Sequence, residues 1–383
     1  MRAVIVTSSS SYEPRADLAA DCLKKLGWQT VIISTDFVHR EKKRRRESRE
    51  GYRYLKTIPY QKNLSVKRLW SHRVFSEKVL KELESMEPDL LYILVPANSL
   101  VRCGDIYRRN HPKVKVIFDV IDLWPEALPF RNMSGSLPVR MWRSLRDDHL
   151  KAADLVVTEC RLYREILGPR LKGIETRTIY WPKMGESQAF TEESLLWQSE
   201  TEELRLCYLG SINHIIDIPF IVNMTVEMKK ACDVVFHIIG DGESRQELLD
   251  RLRAQGVTVK YHGATYEEEK KREILSQCHY GINMMKPEVT VGLTMKSVEY
   301  LYWGLPLLNT IGGDTWRFIE ESQAGFNCAE DRWGELVPRI RAGRQDTRMR
   351  VNARKLYEQY FSPEAFAAEM EACIGQVVKQ SGE

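Results

Sequence analysis

The sequence predicts an α/β protein of two domains with βαβ units and parallel sheet. Short apolar runs alternate with amphipathic stretches of helical period along the whole chain, the pattern of repeated βαβ units. An acidic, polar stretch without apolar period, residues 184–203, interrupts that alternation and marks a domain boundary. Several apolar runs end directly in glycine-bearing turns that lead into a helix, as the ligand-binding loops of open α/β sheets do. At 383 residues the chain has the length of two or three domains.

Residues 2–7 (RAVIVT) read as a buried strand. A polar loop over 8–14, an amphipathic helix over 17–25 ending at Gly27, and a strand over 29–34 complete a βαβ start. The first loop, SSSSYEPRAD, lacks the GxGxxG of a dinucleotide site. Arg15 enters the helix, where it either reaches a phosphate or pairs with Asp17. A helix over 66–85 stops before Pro88, and a strand over 89–95, a helix over 101–110 and a strand over 114–120 follow. Asp122 and Glu126 stand just past that strand. They are placed either to take a proton from a bound hydroxyl or to cap and charge a following helix. A helix over 137–152 holds Asp147, Asp148 and His149, the last read as exposed. Strands over 154–158 and 178–181 end this half at Pro182.

The second half opens with a strand over 204–209 that delivers Gly210-Ser211-Ile212-Asn213. A helix over 219–229 and a strand over 234–239 lead to Gly240-Asp241-Gly242 and a leucine-spaced helix. A strand over 257–262 ends in Gly263-Ala264-Thr265, and a charged helix covers 266–277. The densest stretch is 281–314. An apolar run, 280–285, stops at Pro287, and a loop carries Gly292-Leu293. A helix over 294–303 has Thr294 as N-cap and Gly304 as its stop. A strand over 305–308 then ends in Gly312-Gly313-Asp314, where Asp314 either forms the turn or contacts a ligand. The helix starts where a strand ends, so its first N–H groups point to the sheet's carboxyl edge, a site for phosphorylated ligands. Lys296 lies in its first turn and Glu299 further on. The chain closes with helices over 316–322, 333–342, 348–360 and 362–379 and a short strand over 325–327.

Eight cysteines show no CxxC or metal-ligand spacing and read as small core residues in a reducing compartment. The first apolar run is too short for a signal peptide and no stretch has transmembrane length, so a cytoplasmic protein is expected. Net charge is only +4, yet residues 39–73 concentrate Lys and Arg among Tyr52, Tyr54, Tyr60, Leu69 and Trp70. Nucleic acid, an anionic membrane surface and a solvated flexible loop over 40–50 are the readings of that segment.

The series Pro287, Gly292, Lys296, Glu299-Tyr300 and Gly304-Leu305-Pro306 resembles the donor-binding signature of glycosyltransferase family 4. These are retaining enzymes of the GT-B fold, here closest to the branch that assembles bacterial capsule, exopolysaccharide or O-antigen. The segment FDVIDLWPEALP resembles the D-x-H-D-L-W-P-E segment of the same relatives, with Ile121 at the histidine position. The resemblance implies two Rossmann-like domains facing across a cleft: an acceptor domain over 1–183, a linker over 184–203 and a donor domain over 204–360. A final helix, 361–383, crosses back to the first domain. It implies a nucleotide-sugar donor, UDP- or GDP-linked, held by Gly210, Ser211, Asn213, Gly240, Gly263, Ala264, Gly292, Leu293, Thr294, Lys296 and Glu299, with Glu299 on the ribose. The first glutamate of the family's Glu-x7-Glu pair is Val291 here, and the usual basic pair is replaced by Ser211 and residues 214–217. Lys296 is the replacement counter-charge. Asp122, Glu126 and Lys296 are the candidate catalytic residues. No metal and no cofactor are expected, since no D-x-D stands at a strand end. The implied reaction is sugar transfer with retention to a lipid-linked saccharide, by a protein peripheral to the inner membrane face through segment 39–73, without nucleic acid. A degenerate binding subunit and a nucleotide-sugar 2-epimerase are the other readings of this fold.

Overall fold

The structure is a computed structural model that describes residues 1–39, 41–63, 65–128, 135–183 and 202–379. Most of the expected linker, 184–203, lies outside the described residues. The chain divides into two compact units, Met1–Trp181 with Phe366–Glu383 and Pro182–Ala365.

The first unit has strands β1 (Arg2–Val6), β2 (Gln29–Thr35), β3 (Phe37–Val38), β4 (Lys43–Arg44), β5 (Tyr52–Leu55), β6 (Leu90–Val95), β7 (Lys115–Val120), β8 (Leu155–Thr158) and β9 (Glu175–Thr178). Seven of them form one parallel sheet in the order β5-β2-β1-β6-β7-β8-β9, and β3 and β4 pair apart as an antiparallel ribbon. Helices α1 (Glu13–Lys25), α2 (Val66–Met86), α3 (Asn98–Asn110), α4 (Leu137–Asp147) and α5 (Arg161–Leu167) connect them. Strand β6 is buried at every residue, as expected for a parallel strand covered on both faces.

Several local expectations shift. Helix α1 begins at Glu13 rather than at residue 17, because Pro14 fits the first turn, where its missing N–H is not needed. Arg15 therefore lies inside the helix and pairs with Asp119 rather than with Asp17. Its guanidinium donates to both oxygens of Asp119 at 2.7 and 2.9 Å, and both side chains are fully buried. The last strand runs over Glu175–Thr178, not 178–181, because its register is set by β8, with Leu155 opposite Glu175. Helix α4 stops at Asp147, so His149 is not an exposed helix residue but half-buried beside Asp105, 2.5 Å from Nδ1. Nor is 40–50 simply a solvated loop. Strand β4 lies in it, and Arg44, Arg45 and Arg49 pair with Asp36, Glu13 and Asp17.

The second unit has strands β10 (Leu204–Leu209), β11 (Val234–Ile239), β12 (Thr258–Gly263), β13 (Tyr280–Asn283), β14 (Leu307–Asn309) and β15 (Gly325–Asn327). They form a parallel sheet in the order β12-β11-β10-β13-β14-β15. Its helices are α6 (Ile218–Lys229), α7 (Arg245–Ala254), α8 (Glu268–Ser276), α9 (Met295–Tyr302), α10 (Asp314–Ser322), α11 (Trp333–Gly343) and α12 (Thr347–Tyr360). The final helix, α13 (Pro363–Lys379), returns to the first unit, where Phe366, Met370, Cys373, Ile374 and Val377 join the core under α1 and β1. Among the described residues no helix is long and apolar enough to cross a membrane.

The Arg15–Asp119 pair makes the first unit's core sensitive to charge. Arg15→Ala leaves a buried carboxylate unpaired and should cost about 3–5 kcal/mol in urea unfolding of that unit. Arg15→Met with Asp119→Leu should recover most of the loss.

Candidate functional site

At the carboxyl edge of the second sheet, the turns after β10, β11 and β12 pack backbone to backbone. Gly210 N–H donates to Ile239 O, and Gly240 N–H donates to Gly263 O, both at 2.8 Å. Gly240 has φ +150°, and a Cβ there would lie 1.9 Å from Gly210 O, so only glycine fits. Asn213 is half-buried there, and its Oδ1 accepts from Ile215 N–H in a local turn at 3.2 Å. Ser211 and Ala264 are exposed at the edge.

Helix α9 begins beside these turns. Thr294 caps it, taking the Ser297 N–H at 3.1 Å in a reciprocal box with Ser297. The Thr294 hydroxyl itself donates to Asn283 Oδ1 at 2.8 Å. Asn283 Nδ2 donates to Asn309 Oδ1, and Asn309 Nδ2 to Asn327 Oδ1, each at 2.9 Å. These asparagines are opposite one another in register on β13, β14 and β15, and the ladder ends with Asn327 Nδ2 on Trp316 O. The Gly292 carbonyl before the cap is held by both the N–H and the hydroxyl of Thr315. Further along α9, the Tyr300 hydroxyl accepts from Leu209 N–H at 2.7 Å and donates to Cys207 O at 3.1 Å. Its ring fills the space over Gly281, where a Cβ would lie 2.6 Å from the ring.

The cap leaves the Met295 and Lys296 N–H groups without an acceptor among the described residues. Lys296 lies against Gly210, with Cε 3.8 Å from where a Cβ would be, and its ammonium is 4.0 Å from the Tyr208 ring centroid. The stem of this side chain is partly exposed, while Nζ is out of contact with solvent and makes no hydrogen bond among the described residues. Desolvation pulls its pKa down to about 7. Glu299, by contrast, is already engaged. Its Oε1 accepts from Lys271 Nζ at 2.7 Å, with Lys183 Nζ at 3.7 Å. Burial works against the Lys271 charge, yet Glu268 and Glu299 hold its pKa above the ordinary value.

In the first unit, acids gather where β7 and β8 end. Asp122 Oδ2 accepts from the Tyr12 hydroxyl at 2.5 Å. Burial raises the Asp122 pKa against that bond and the Arg68 charge. Glu159, the residue after β8, is raised to about 8 by burial and by the neighbouring Asp122 charge. Glu126 is a counter-ion: Arg146 holds both its oxygens at 2.9 and 3.0 Å, and Arg143 adds a third contact at 2.8 Å. Burial alone would raise its pKa, but the Arg146 bonds keep it below the usual carboxylate value.

Residues 203–344 match the family model of the glycosyl transferases group 1. No curated protein matches the chain significantly. Among solved structures, sucrose-phosphate synthase from Thermosynechococcus elongatus is similar with TM-score 0.67 at 12% identity, over 99% of this chain and all of that one. The lipopolysaccharide outer core galactosyltransferase WaaB has TM-score 0.67 at 11% identity, over 98% and 99% of the two chains. Anabaena HepE in complex with UDP and glucose has TM-score 0.62 at 13% identity, over 98% and 100%. The fold is GT-B.

Within this GT-B chain the structure brings Gly210, Gly240, Gly263, Thr294 and Lys296 to one edge, with Gly292 and Leu293 leading into the cap. Glu299 lies on the same helix with its Oε1 occupied by Lys271. Sequence reasoning missed Tyr12, Glu159, Lys271 and the asparagine ladder. The ladder had a sequence signal, an Asn closing each of three apolar runs at 283, 309 and 327.

Interrupting that ladder strands the buried amide of Asn283 and the half-buried one of Asn327. Asn309→Leu should destabilise the second unit by about 2–4 kcal/mol in urea titration, whereas an exposed substitution such as Ser211→Ala should be near neutral.

Proposed function

We propose that the chain is a glycosyltransferase that moves a sugar, with retention and without a metal, from a UDP- or GDP-linked donor to a lipid-linked saccharide. Its setting in this reading is bacterial surface polysaccharide synthesis at the inner face of the plasma membrane. The observation that carries the reading is the Lys296 ammonium, desolvated and unpaired beside Gly210 at a capped helix N-terminus. A buried cation without a counter-ion is costly, and a diphosphate seated on the Met295 and Lys296 N–H groups supplies one. The match of residues 203–344 to the glycosyl transferases group 1 supports it, as does the UDP complex of HepE on the same fold.

In this mechanism the second unit holds the donor. Glu299 takes a ribose hydroxyl through Oε2, while Lys271 fixes its other oxygen. As the bond from the sugar's anomeric carbon to the diphosphate breaks, charge grows on the leaving phosphate. Lys296 and the helix N-terminus stabilise it. The acceptor oxygen bonds the anomeric carbon on the same face, and its proton passes to the leaving phosphate. Asp122, oriented by Tyr12, and Glu159 bind and align the acceptor hydroxyl. Glu126 orients this loop through Arg146 and does not take the proton.

Two outcomes test the proposal. Calorimetry should detect UDP or GDP binding that Lys296→Met weakens at least about tenfold, a loss of one charge-assisted contact. The Lys296 pKa near 7 gives the sign of the pH effect. The ammonium is present below 7 and lost above it, so affinity should fall as pH rises from 7 to 9, and the fall should be absent in Lys296→Met. If no nucleotide binds, a binding subunit without turnover replaces this reading. Conversion of a nucleotide-sugar without acceptor would point to an epimerase.

For the acceptor side, Asp122→Asn should lower kcat by about a hundredfold through lost alignment of the acceptor hydroxyl. With Glu159 protonated below about 8, acceptor KM at saturating donor should rise above that pH in the wild type and stay level in Glu159→Gln.

A further inference from the structure

The first unit carries an apolar surface that the proposed chemistry leaves unused. Helix α2 exposes Val66, Leu69 and Trp70, spaced i, i+3 and i+4, and helix α4 exposes Leu137 and Met141, spaced i and i+4. Val66 is 83% exposed, Trp70 54%, Leu137 68% and Met141 62%. Val66, Leu69, Trp70 and Met141 border one groove, so they form a patch rather than scattered residues, with Leu137 one turn before Met141 on α4. Between α2, α3 and α4 lies a groove of about 520 Å³, lined by Leu69, Trp70, Met141 and Trp142 among others.

The charge around the patch is one-sided. Lys62, Lys67, Arg102 and Arg140 are exposed and make no ion pair among the described residues. The acids of the same region are spent, Glu77 on Arg73 and Glu126 on Arg143 and Arg146. Of the earlier basic residues, Lys43 and Arg46 are likewise exposed without an ion pair among the described residues, but they stand away from the apolar side chains, and the others behave differently. Arg44, Arg45, Arg49 and Arg53 are neutralised inside the unit by Asp36, Glu13, Asp17 and Glu82.

We propose that the α2–α4 face is the membrane-contact surface, with Val66, Leu69, Trp70, Leu137 and Met141 entering the headgroup region of an anionic bilayer and Lys62, Lys67, Arg102 and Arg140 on its phosphates. Apolar side chains flanked by unpaired cations match both layers of such a surface. Trp70 suits the boundary between them, with an apolar body and a polar N–H. A second copy of the chain is a poor occupant, since isologous pairing sets these cations against their own kind. The inference deepens the proposed function, and rests on it for why a lipid surface is needed. It also replaces segment 39–73 as a whole with its α2 part joined to α4.

The test is co-sedimentation of the full chain with vesicles of phosphatidylglycerol and phosphatidylcholine, and of phosphatidylcholine alone, at low salt. The wild type should bind the anionic vesicles preferentially. Trp70→Ser with Met141→Ser should weaken binding about tenfold or more, Trp70→Phe with Met141→Leu should retain it, and Lys43→Ser with Arg46→Ser should leave it nearly unchanged. No binding by the wild type overturns the proposal, as does equal binding by the serine variant or an equal loss in the Lys43/Arg46 variant. A wild-type dimer in light scattering that the serine variant dissolves also overturns it, in favour of a second copy. UDP and GDP affinity measured on the same variants separates this failure from failure of the glycosyl-transfer reading, because none of these residues belongs to the donor edge.

Discussion

The position of helix α9 depends on a line of directed hydrogen bonds from the Thr294 hydroxyl through Asn283, Asn309 and Asn327 to the Trp316 carbonyl. Each amide in that line gives with its nitrogen and takes with its oxygen, so no member can turn over without breaking a neighbour's bond. Asn283 and Asn309 are fully buried, where an unmade bond is expensive and a made one holds its geometry. Tyr300 grips the same helix from its other end, reaching Leu209 and Cys207 on β10 across the bare backbone of Gly281. The helix N-terminus is thereby fixed relative to three strands and to the Gly210 turn.

That rigidity gives the charges around it their meaning. Desolvation acts on every buried ionisable group, and most here are compensated: Arg15 by Asp119, Arg146 by Glu126, Lys271 by Glu268 and Glu299. Lys296 has only the face of Tyr208 beneath it. Its low pKa is the trace of an electrostatic demand that the second unit leaves unmet. The first unit has a counterpart of opposite sign in Glu159, which meets burial and the Asp122 charge by keeping its proton.

The basic residues of 39–73 separate along the same line. Before β5, Arg45 and Arg49 are absorbed by acids of α1 and by aromatic faces, with Arg45 over Tyr54 at 4.4 Å and Arg49 over Tyr52 at 4.3 Å, and Arg44 is absorbed by Asp36. From α2 onward the cations stand beside exposed apolar side chains instead. Composition alone gave both halves the same character; the difference lies in which acids the fold brings to each.

The strand and helix succession was legible because parallel strands buried on both faces are continuous apolar runs, and because glycine and proline punctuate them. The cap at Thr294, the turn at Gly210 and the helix carrying Lys296 and Glu299 follow from local chemistry, and local chemistry is written in neighbouring residues. Register is not local, which is why β9 fell three residues earlier than its apolar run and α1 started a turn sooner. Partnership is not local either. Arg15 meets Asp119, Glu299 meets Lys271, and Glu126 meets Arg146 across 104, 28 and 20 residues. The sequence by itself determined the main succession of strands and helices, where the glycine turns stand and which residues can carry charge, but not the short strands β3, β4 and β5 or helix α5. Only the tertiary structure decided which charges are neutralised and which are left for a ligand, because that depends on the few ångströms between side chains that no spacing along the chain records.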